Sequence, residues 1–167
     1  MKKTITYILF LLPLLSGCKF YSVSMRGGDT SGSSTYSVEY FKPKTAQASQ
    51  VYAQRFTDGL KDFIASASPL DITDSQADLQ YSGSITGYTI SPASVGQGEV
   101  AALNKLTITV KLKYVNNKEP DKSFDKSFSK FANYNSNSDI FAVEEQLWED
   151  INEQLITAIY NASIGNW

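Results

Sequence analysis

The side chains that most often perform catalysis are scarce in this sequence. There is no histidine, which removes the usual general base near neutral pH and any Ser-His-Asp arrangement. Glu144 and Glu145 form a carboxylate pair, and their position on a predicted helix favours a solvated surface. Asp71, Asp74 and Asp78 recur at short spacing without the glycine and terminal glutamate of a calcium loop, so turn or capping roles explain them. We therefore expect no enzyme, no metal and no cofactor.

The single cysteine lies where a covalent modification is expected. Met1-Lys2-Lys3 precedes an eleven-residue apolar stretch, Ile5 to Leu15, which is too short for a membrane span of roughly 20 residues. Leu15-Ser16-Gly17-Cys18 follows and resembles the bacterial lipobox. The pattern predicts a lipoprotein signal peptide at 1–17 and a thioether lipid with acyl chains such as palmitate on Cys18. Lys19, rather than aspartate, weakly favours the outer membrane.

The remaining chain predicts a lipidated flexible tether at 18–35 and a single domain at 36–167. Residues 26–34 are rich in glycine and serine, a composition typical of tethers. After removal of 1–17 there are 13 basic and 17 acidic residues, a net charge of −4 that argues against nucleic acid. The charge is uneven, since residues 105–130 hold seven lysines against three acids, whereas residues 131–167 hold six acids and no base.

Apolar spacing predicts the order β-α-β-β-β-α. The predicted strands are Tyr36 to Phe41, Asp78 to Ile90, Leu103 to Val115 and Lys122 to Tyr134, and the predicted helices are Gln47 to Ala65 and Ile140 to Ala162. Asp139 or Ser138 is the expected N-cap of the second helix. Ser91 to Ala101 is expected to be a loop. Gly83 and Gly87 are expected on one face, marking close backbone approach or a bulge. A bulge near Ser129 is expected to reconcile Phe131 with Phe124 and Phe128.

The fold class that follows is α+β, with two helices on one face of a four-stranded, mainly antiparallel or mixed sheet. The other sheet face is then polar and uncovered. Its expected residues include Thr107, Thr109, Gln80, Ser82, Ser84 and Thr86. Simple solvation and a polar partner both account for such a face.

Several segments resemble the lipopolysaccharide-assembly lipoprotein family LptE in its Bacteroidota form. They are Ser37 to Phe41, Asp78 to Tyr88, Asn104 to Lys111, Lys126 to Ser129 and Asn161 to Trp167. The resemblance implies the same sheet and helices, the outer-membrane barrel LptD as a partner that the lipoprotein plugs, and a role in placing lipopolysaccharide in the outer membrane. The six polar residues named above are then expected to face the barrel, whose interior is polar.

Lipopolysaccharide is anionic, so the lysine-rich hairpin is a candidate contact surface. The candidate contacts are Lys105, Lys111, Lys113, Lys126 and Lys130. The alternative is a periplasmic or surface lipoprotein that binds a small ligand or glycan, for which a concave aromatic-lined pocket is required.

Overall fold

A computed structural model describes residues 30, 32–74, 76–94 and 102–165. The predicted signal peptide, Cys18 and most of the tether lie outside these residues, as does the greater part of the predicted loop at 91–101. The expectation of a loop is wrong for residues 91–94, which continue the strand that begins at Leu79. None of the helices within the described part of the chain is both long and apolar enough to span a bilayer.

The described chain folds into one sheet and two α-helices, with a single 3-10 turn at Pro120–Lys122. The strands are β1 (Thr35–Val38), β2 (Lys42–Pro43), β3 (Asp71–Ile72), β4 (Leu79–Ser94), β5 (Leu103–Asn116) and β6 (Phe124–Asn135); the helices are α1 (Gln50–Ala67) and α2 (Ile140–Ser163). The strand order is β3-β1-β4-β5-β6, with β2 also paired to β4. Strands β4 to β6 form an antiparallel meander, and β1 pairs in parallel with β3 and β4. The predicted α+β class is confirmed.

The strand count differs from the prediction in two places. The first predicted strand breaks after Val38, so that β1 and a two-residue β2 both pair with β4. Asp71–Ile72 adds a second two-residue strand beside β1. Strands this short carry no alternating pattern, which explains why apolar spacing predicts four strands rather than six.

Both helices form where their apolar stripes lie and begin at side-chain caps. The Ser49 hydroxyl accepts from the Tyr52 amide over 3.0 Å, so α1 begins at Gln50 rather than at Gln47. Asp139, one of the two expected caps, accepts from the Phe141 amide at the start of α2. The two buried stripes are Tyr52, Phe56, Leu60 and Ile64 in α1 and Leu147, Ile151, Leu155 and Ile159 in α2.

The core lies between these stripes and one face of the sheet. Every second residue of β5 from Leu106 to Tyr114 is buried against the helices. Buried tyrosine hydroxyls join the helices to each other and to the sheet: Tyr52 of α1 donates to Asn152 Oδ1 of α2 at 2.8 Å, and Tyr81 of β4 donates to Ser163 Oγ of α2 at 2.9 Å. Burial raises the pKa of both phenols, so they remain protonated donors. These bonds place both helices on the same face of the sheet.

The predicted bulge near Ser129 is wrong. The β5–β6 register runs without a shift from Tyr114 opposite Phe124 to Leu103 opposite Asn135. Phe131 therefore points away from the helices and stays half exposed, with the Lys105 ammonium 5.2 Å from its ring centroid. The Lys105 ammonium makes a cation–π contact with the Phe131 ring outside the core. The spacing of apolar residues along the sequence does not predict such a contact.

A bulge instead lies in β4 at Thr86, between the pairs Ile85–Val110 and Gly87–Thr109. It reverses the alternation, so Tyr88 rather than Gly87 faces the core. The expectation that Gly83 and Gly87 share a face is therefore wrong. Gly83 does mark a close approach, but to Phe41 and the β5 backbone rather than to a helix, because a Cβ there would lie 2.7 Å from Phe41 Cε1.

Candidate functional site on the open face of the sheet

The sheet face turned away from both helices, termed the open face here, is predominantly polar. Alternation in the antiparallel meander brings outward residues of three strands side by side. From β4 these are Gln80, Ser82, Ser84, Thr89 and Ser91; from β5, Lys105, Thr107, Thr109, Lys111 and Lys113; and from β6, Asp125, Ser127, Ser129, Phe131 and Asn133.

The predicted barrel-facing residues fall on or beside this face, with one of them buried. Thr107, Thr109, Gln80 and Ser82 are partly exposed there. Thr86 is exposed at the bulge, where its hydroxyl reaches the Thr109 carbonyl. Ser84 is only 5% exposed, because β2 pairs with β4 at this point and Lys42 lies opposite it. Ser84 therefore has little surface left for a partner.

The five candidate lysines lie on two faces. Lys105, Lys111 and Lys113 belong to the open face. Lys126 and Lys130 lie opposite the core residues Leu112 and Ile108, which places them on the helix side of β6. The Lys126 ammonium lies 5.5 Å from the centroid of the Phe128 ring. A ligand bound to the open face can therefore contact three of the five candidate lysines.

The three open-face lysines have different electrostatic partners. Lys111 Nζ lies 3.3 Å from Asp125 Oδ2, with each side chain 53% exposed. Lys105 lies over the Phe131 ring. Lys113 is exposed and has no ion pair with any acidic group in the described part of the chain. Half-exposed pairs of this kind are weak in water, so Lys111 remains accessible to a stronger anion.

A cleft of about 400 Å³ concentrates positive charge at one end of the open face. Lys111 and Lys113 form one side, and Lys42 and Lys44 from β2 and the residue after it form the other, with Tyr40 beside them. Two acids, Glu39 and Asp125, leave the lining with a net positive charge. Clustered ammonium groups bind phosphate or carboxylate as point charges.

Sequence reasoning missed Lys42 and Lys44. The predicted strand ended at Phe41 because proline follows closely, and nothing local shows that the chain then returns to β4 in parallel. The pairs Lys42–Ser84 and Pro43–Ile85 bring these lysines to the open face. The only local signal is the two cations flanking Pro43.

Asp78, one of the acidic residues singled out in the sequence, has a structural role. Asp78 accepts from the Ser34 amide at 2.9 Å and the Thr35 amide at 3.3 Å, and Lys118 Nζ lies 3.2 Å away. These bonds, with that from the Ser34 amide first, lower the pKa of Asp78 to about 2. Within the described ranges, no three His, Cys, Asp or Glu side chains are grouped so as to hold a metal.

The fold and this surface define a two-layer α+β domain with a polar, lysine-bearing open sheet face. A family model described as "LptE: Lipopolysaccharide-assembly" matches residues 33–163, and the chain belongs to this family. LptE proteins are non-enzymatic lipoproteins associated with lipopolysaccharide assembly and its transport machinery. Comparison with curated protein sequences gave no significant match.

Several solved structures are similar to this chain at low identity. A hypothetical protein from Chlamydia trachomatis superposes with a TM-score of 0.54 at 6% identity, over 80% of this chain and 99% of that one. A protein from Xanthomonas campestris gives 0.51 at 12% identity, over 78% and 82%. Rare lipoprotein B from Shewanella oneidensis gives 0.45 at 11% identity, over 77% and 89%. At such identities, scores above 0.5 establish a similar fold and nothing about function.

Proposed function

We propose that this chain is an outer-membrane lipoprotein, anchored through Cys18, that plugs and supports the LptD barrel during lipopolysaccharide assembly. Membership of the LptE family supports the process, and the lipobox at residues 15–18 supports the anchor. The part of the predicted tether that precedes Ser34 is proposed to let the domain stand away from the lipid, since the Ser34 and Thr35 amides already bond to Asp78 within the domain. Two or more acyl chains on one cysteine anchor a protein stably, whereas a single chain binds only marginally.

The single observation that carries the barrel proposal is the open face. An isolated sheet can leave one face to water, but the interior of a large barrel is polar as well, so a plug must present hydrogen-bonding groups to it. Three strands present hydroxyl, amide and ammonium groups there, including Thr107, Thr109 and Lys113. The helices cover only the opposite face.

Lipopolysaccharide contacts are proposed on the same face. Lys111 and Lys113 line the cationic cleft, where they meet Lys42 and Lys44, and Lys105 extends the positive charge along β5. The phosphate and carboxylate groups of lipid A and core match such a cluster. Lys126 and Lys130 lie on the helix side, and we assign them no part in this contact surface.

The alternative, binding of a small ligand or glycan, depends on aromatic walls. The cleft on the open face has one aromatic residue in its lining, Tyr40. The groove between β6 and α2 also has one, Phe131, but its ring is turned toward the open face. Stacking on a sugar typically uses broader aromatic surface in a concave site. The geometry therefore favours the assembly role.

The proposal is tested by affinity purification of the tagged, lipidated chain from native outer membranes in mild detergent. LptD is expected as the abundant barrel partner. A Cys18→Ala variant, which cannot be lipidated, controls for attachment through the lipid and is expected to be absent from the outer membrane. Recovery of the wild-type chain from the outer membrane with no barrel protein attached would favour the small-ligand alternative.

A further inference from the structure

Strand β6 forms a long free edge of the sheet. Its twelve residues pair with β5, and no other described strand lies on its outer side. It contains no proline and no bulge, in contrast to the opposite edge, where β3 has two residues. A long, regular edge strand is a template for adding another strand.

Hydrogen-bond direction shows which backbone groups of β6 point outward. Hydroxyls on β4 reach two carbonyls of β5: Ser82 Oγ lies 3.5 Å from the Lys113 oxygen, and Thr86 Oγ1 lies 3.4 Å from the Thr109 oxygen. The odd-numbered residues of β5 therefore direct their backbone groups to β4, and the even-numbered ones direct theirs to β6.

The register transfers this alternation to β6. Lys126, Phe128 and Lys130 lie opposite even-numbered β5 residues and bond to them. The backbone groups left pointing outward belong to Ser127, Ser129, Phe131 and Asn133. Gln154 Nε2, across the groove beside the edge, donates to the Phe131 carbonyl at 3.4 Å, which agrees with this direction. An added strand would replace this one side-chain bond.

The groove beside this edge has space for side chains of an added strand. It measures about 810 Å³ and lies between β6 and α2. Lys130 and Ala132 line the strand wall, and Asp150, Glu153 and Thr157 line the helix wall. An added strand would direct alternate side chains into it and the others toward the open face.

We propose that the β6 edge receives an extended segment of the LptD barrel by strand addition, and that this segment carries an acidic side chain opposite Lys126. The identity of the partner rests on the proposed function, whereas the docking mode rests on the edge itself. Lys126 is exposed and forms no ion pair with an acid among the described residues. Lys130 faces the acidic helix wall, which partly offsets its charge. Lys126 therefore has the stronger preference for an acidic side chain on the added strand.

A second copy of this chain fits the edge poorly. Pairing β6 with β6 about a two-fold axis, in the registers that overlap most of the strand, sets Lys126 and Lys130 directly opposite or diagonal to lysines of the other copy. Like charges at these positions are destabilising. Inward-pointing lysines at sheet edges are a recognised device against self-association. The edge therefore favours a chain of different sequence.

The test compares Ser129→Pro with Ser129→Ala, each co-expressed with the LptD barrel of the same organism. Both variants lose the hydroxyl that accepts from Thr109, but only proline removes the outward N–H and places a ring at the edge. Ser129→Pro should retain cooperative thermal unfolding and bind LptD at least tenfold more weakly than Ser129→Ala. Should the proline variant fail to fold, Ser127→Pro against Ser127→Ala gives the same comparison at the next outward amide.

Two results would contradict strand addition at β6 alone, and a third would also contradict the proposed function. Equal LptD affinity of the proline and alanine variants removes the docking mode and leaves the proposed function intact. Slow hydrogen exchange at the amides of residues 127, 129 and 131 in the dilute free protein shows that the edge is already covered, and also contradicts the inference. Failure of the wild-type chain to bind LptD contradicts the proposed function together with this docking mode.

Discussion

Lys111 Nζ and Asp125 Oδ2 face each other at 3.3 Å across neighbouring strands of the open face. Lys111 is one of the four lysines of the cleft, and it stays half exposed to solvent although it is paired with Asp125. An anionic ligand entering the cleft therefore competes with Asp125 for Lys111.

Replacing Asp125 with Asn removes the competing charge. We expect lipopolysaccharide to bind several-fold more tightly, because Lys111 is freed and the net charge of the cleft rises. Stability should change by less than about 0.5 kcal/mol, as for other exposed pairs. Surface plasmon resonance on the soluble domain measures the affinity, and weaker binding by the Asn variant would show that Asp125 itself contacts the ligand.

The separation of the candidate lysines onto two faces can be tested by paired charge reversals. Lys111→Glu with Lys113→Glu should weaken lipopolysaccharide binding at least tenfold, because both act on the cleft. Lys126→Glu with Lys130→Glu changes the net charge equally on the helix side and serves as the matched control. Equal losses in the two double variants would mean that net charge, rather than the cleft, governs binding.

Asp78 predicts a specific pH dependence of stability. Its pKa is lowered to about 2 in the folded chain, chiefly by the hydrogen bond from the Ser34 amide. A depressed pKa contributes stability that is complete above the ordinary value near 4 and is lost as pH falls through about 2. Asp78→Asn should lower the unfolding free energy at pH 7.

The difference between wild type and Asp78→Asn is measured by urea unfolding from pH 7 to pH 2. It should shrink steadily below pH 4, since protonation removes the charge that the wild-type residue contributes. Other carboxylates titrate in both proteins and cancel in the comparison. Parallel stability curves across this range would contradict the assigned role.

Replacing glycine with alanine should have opposite effects on stability at two positions with different surroundings. A Cβ at Gly83 would lie 2.1 Å from the Lys111 carbonyl oxygen, so Gly83→Ala forces the backbone apart and should cost about 1–3 kcal/mol. A Cβ at Gly59 would meet only the end of the Ile156 side chain at 3.2 Å. Gly59→Ala should then be neutral or stabilise by up to about 1 kcal/mol. Thermal unfolding distinguishes them, and equal destabilisation would argue against the close approach at Gly83.

Regular periodicity made the helices and the meander predictable. The four-residue spacing in α2 and the strict alternation in β5 each admit a single interpretation, and the structure follows both. The predicted polar face follows directly from the alternation in β5. These features depend on local sequence alone.

The parts that depend on distant pairing were not predictable. The bulge at Thr86 in β4 and the absence of a bulge near Ser129 in β6 are both set by how these strands pair with β5. Phe131 is tolerated outside the core because Lys105 on the next strand covers its ring. Lys42 and Lys44 join the cleft through parallel pairing with β4, which no short window of sequence contains.

Site-specific photocross-linking from Thr107 on the open face tests the central claim most directly. With a photoreactive residue at this position in the lipidated chain, we predict adducts to peptides of the LptD barrel interior in native outer membranes. Gln54, exposed on the outer side of α1, provides the comparison position on the helix layer. The absence of LptD adducts from Thr107 would contradict the proposal that the open face lies against the barrel interior, provided that the chain is lipidated and LptD is abundant in the same cells.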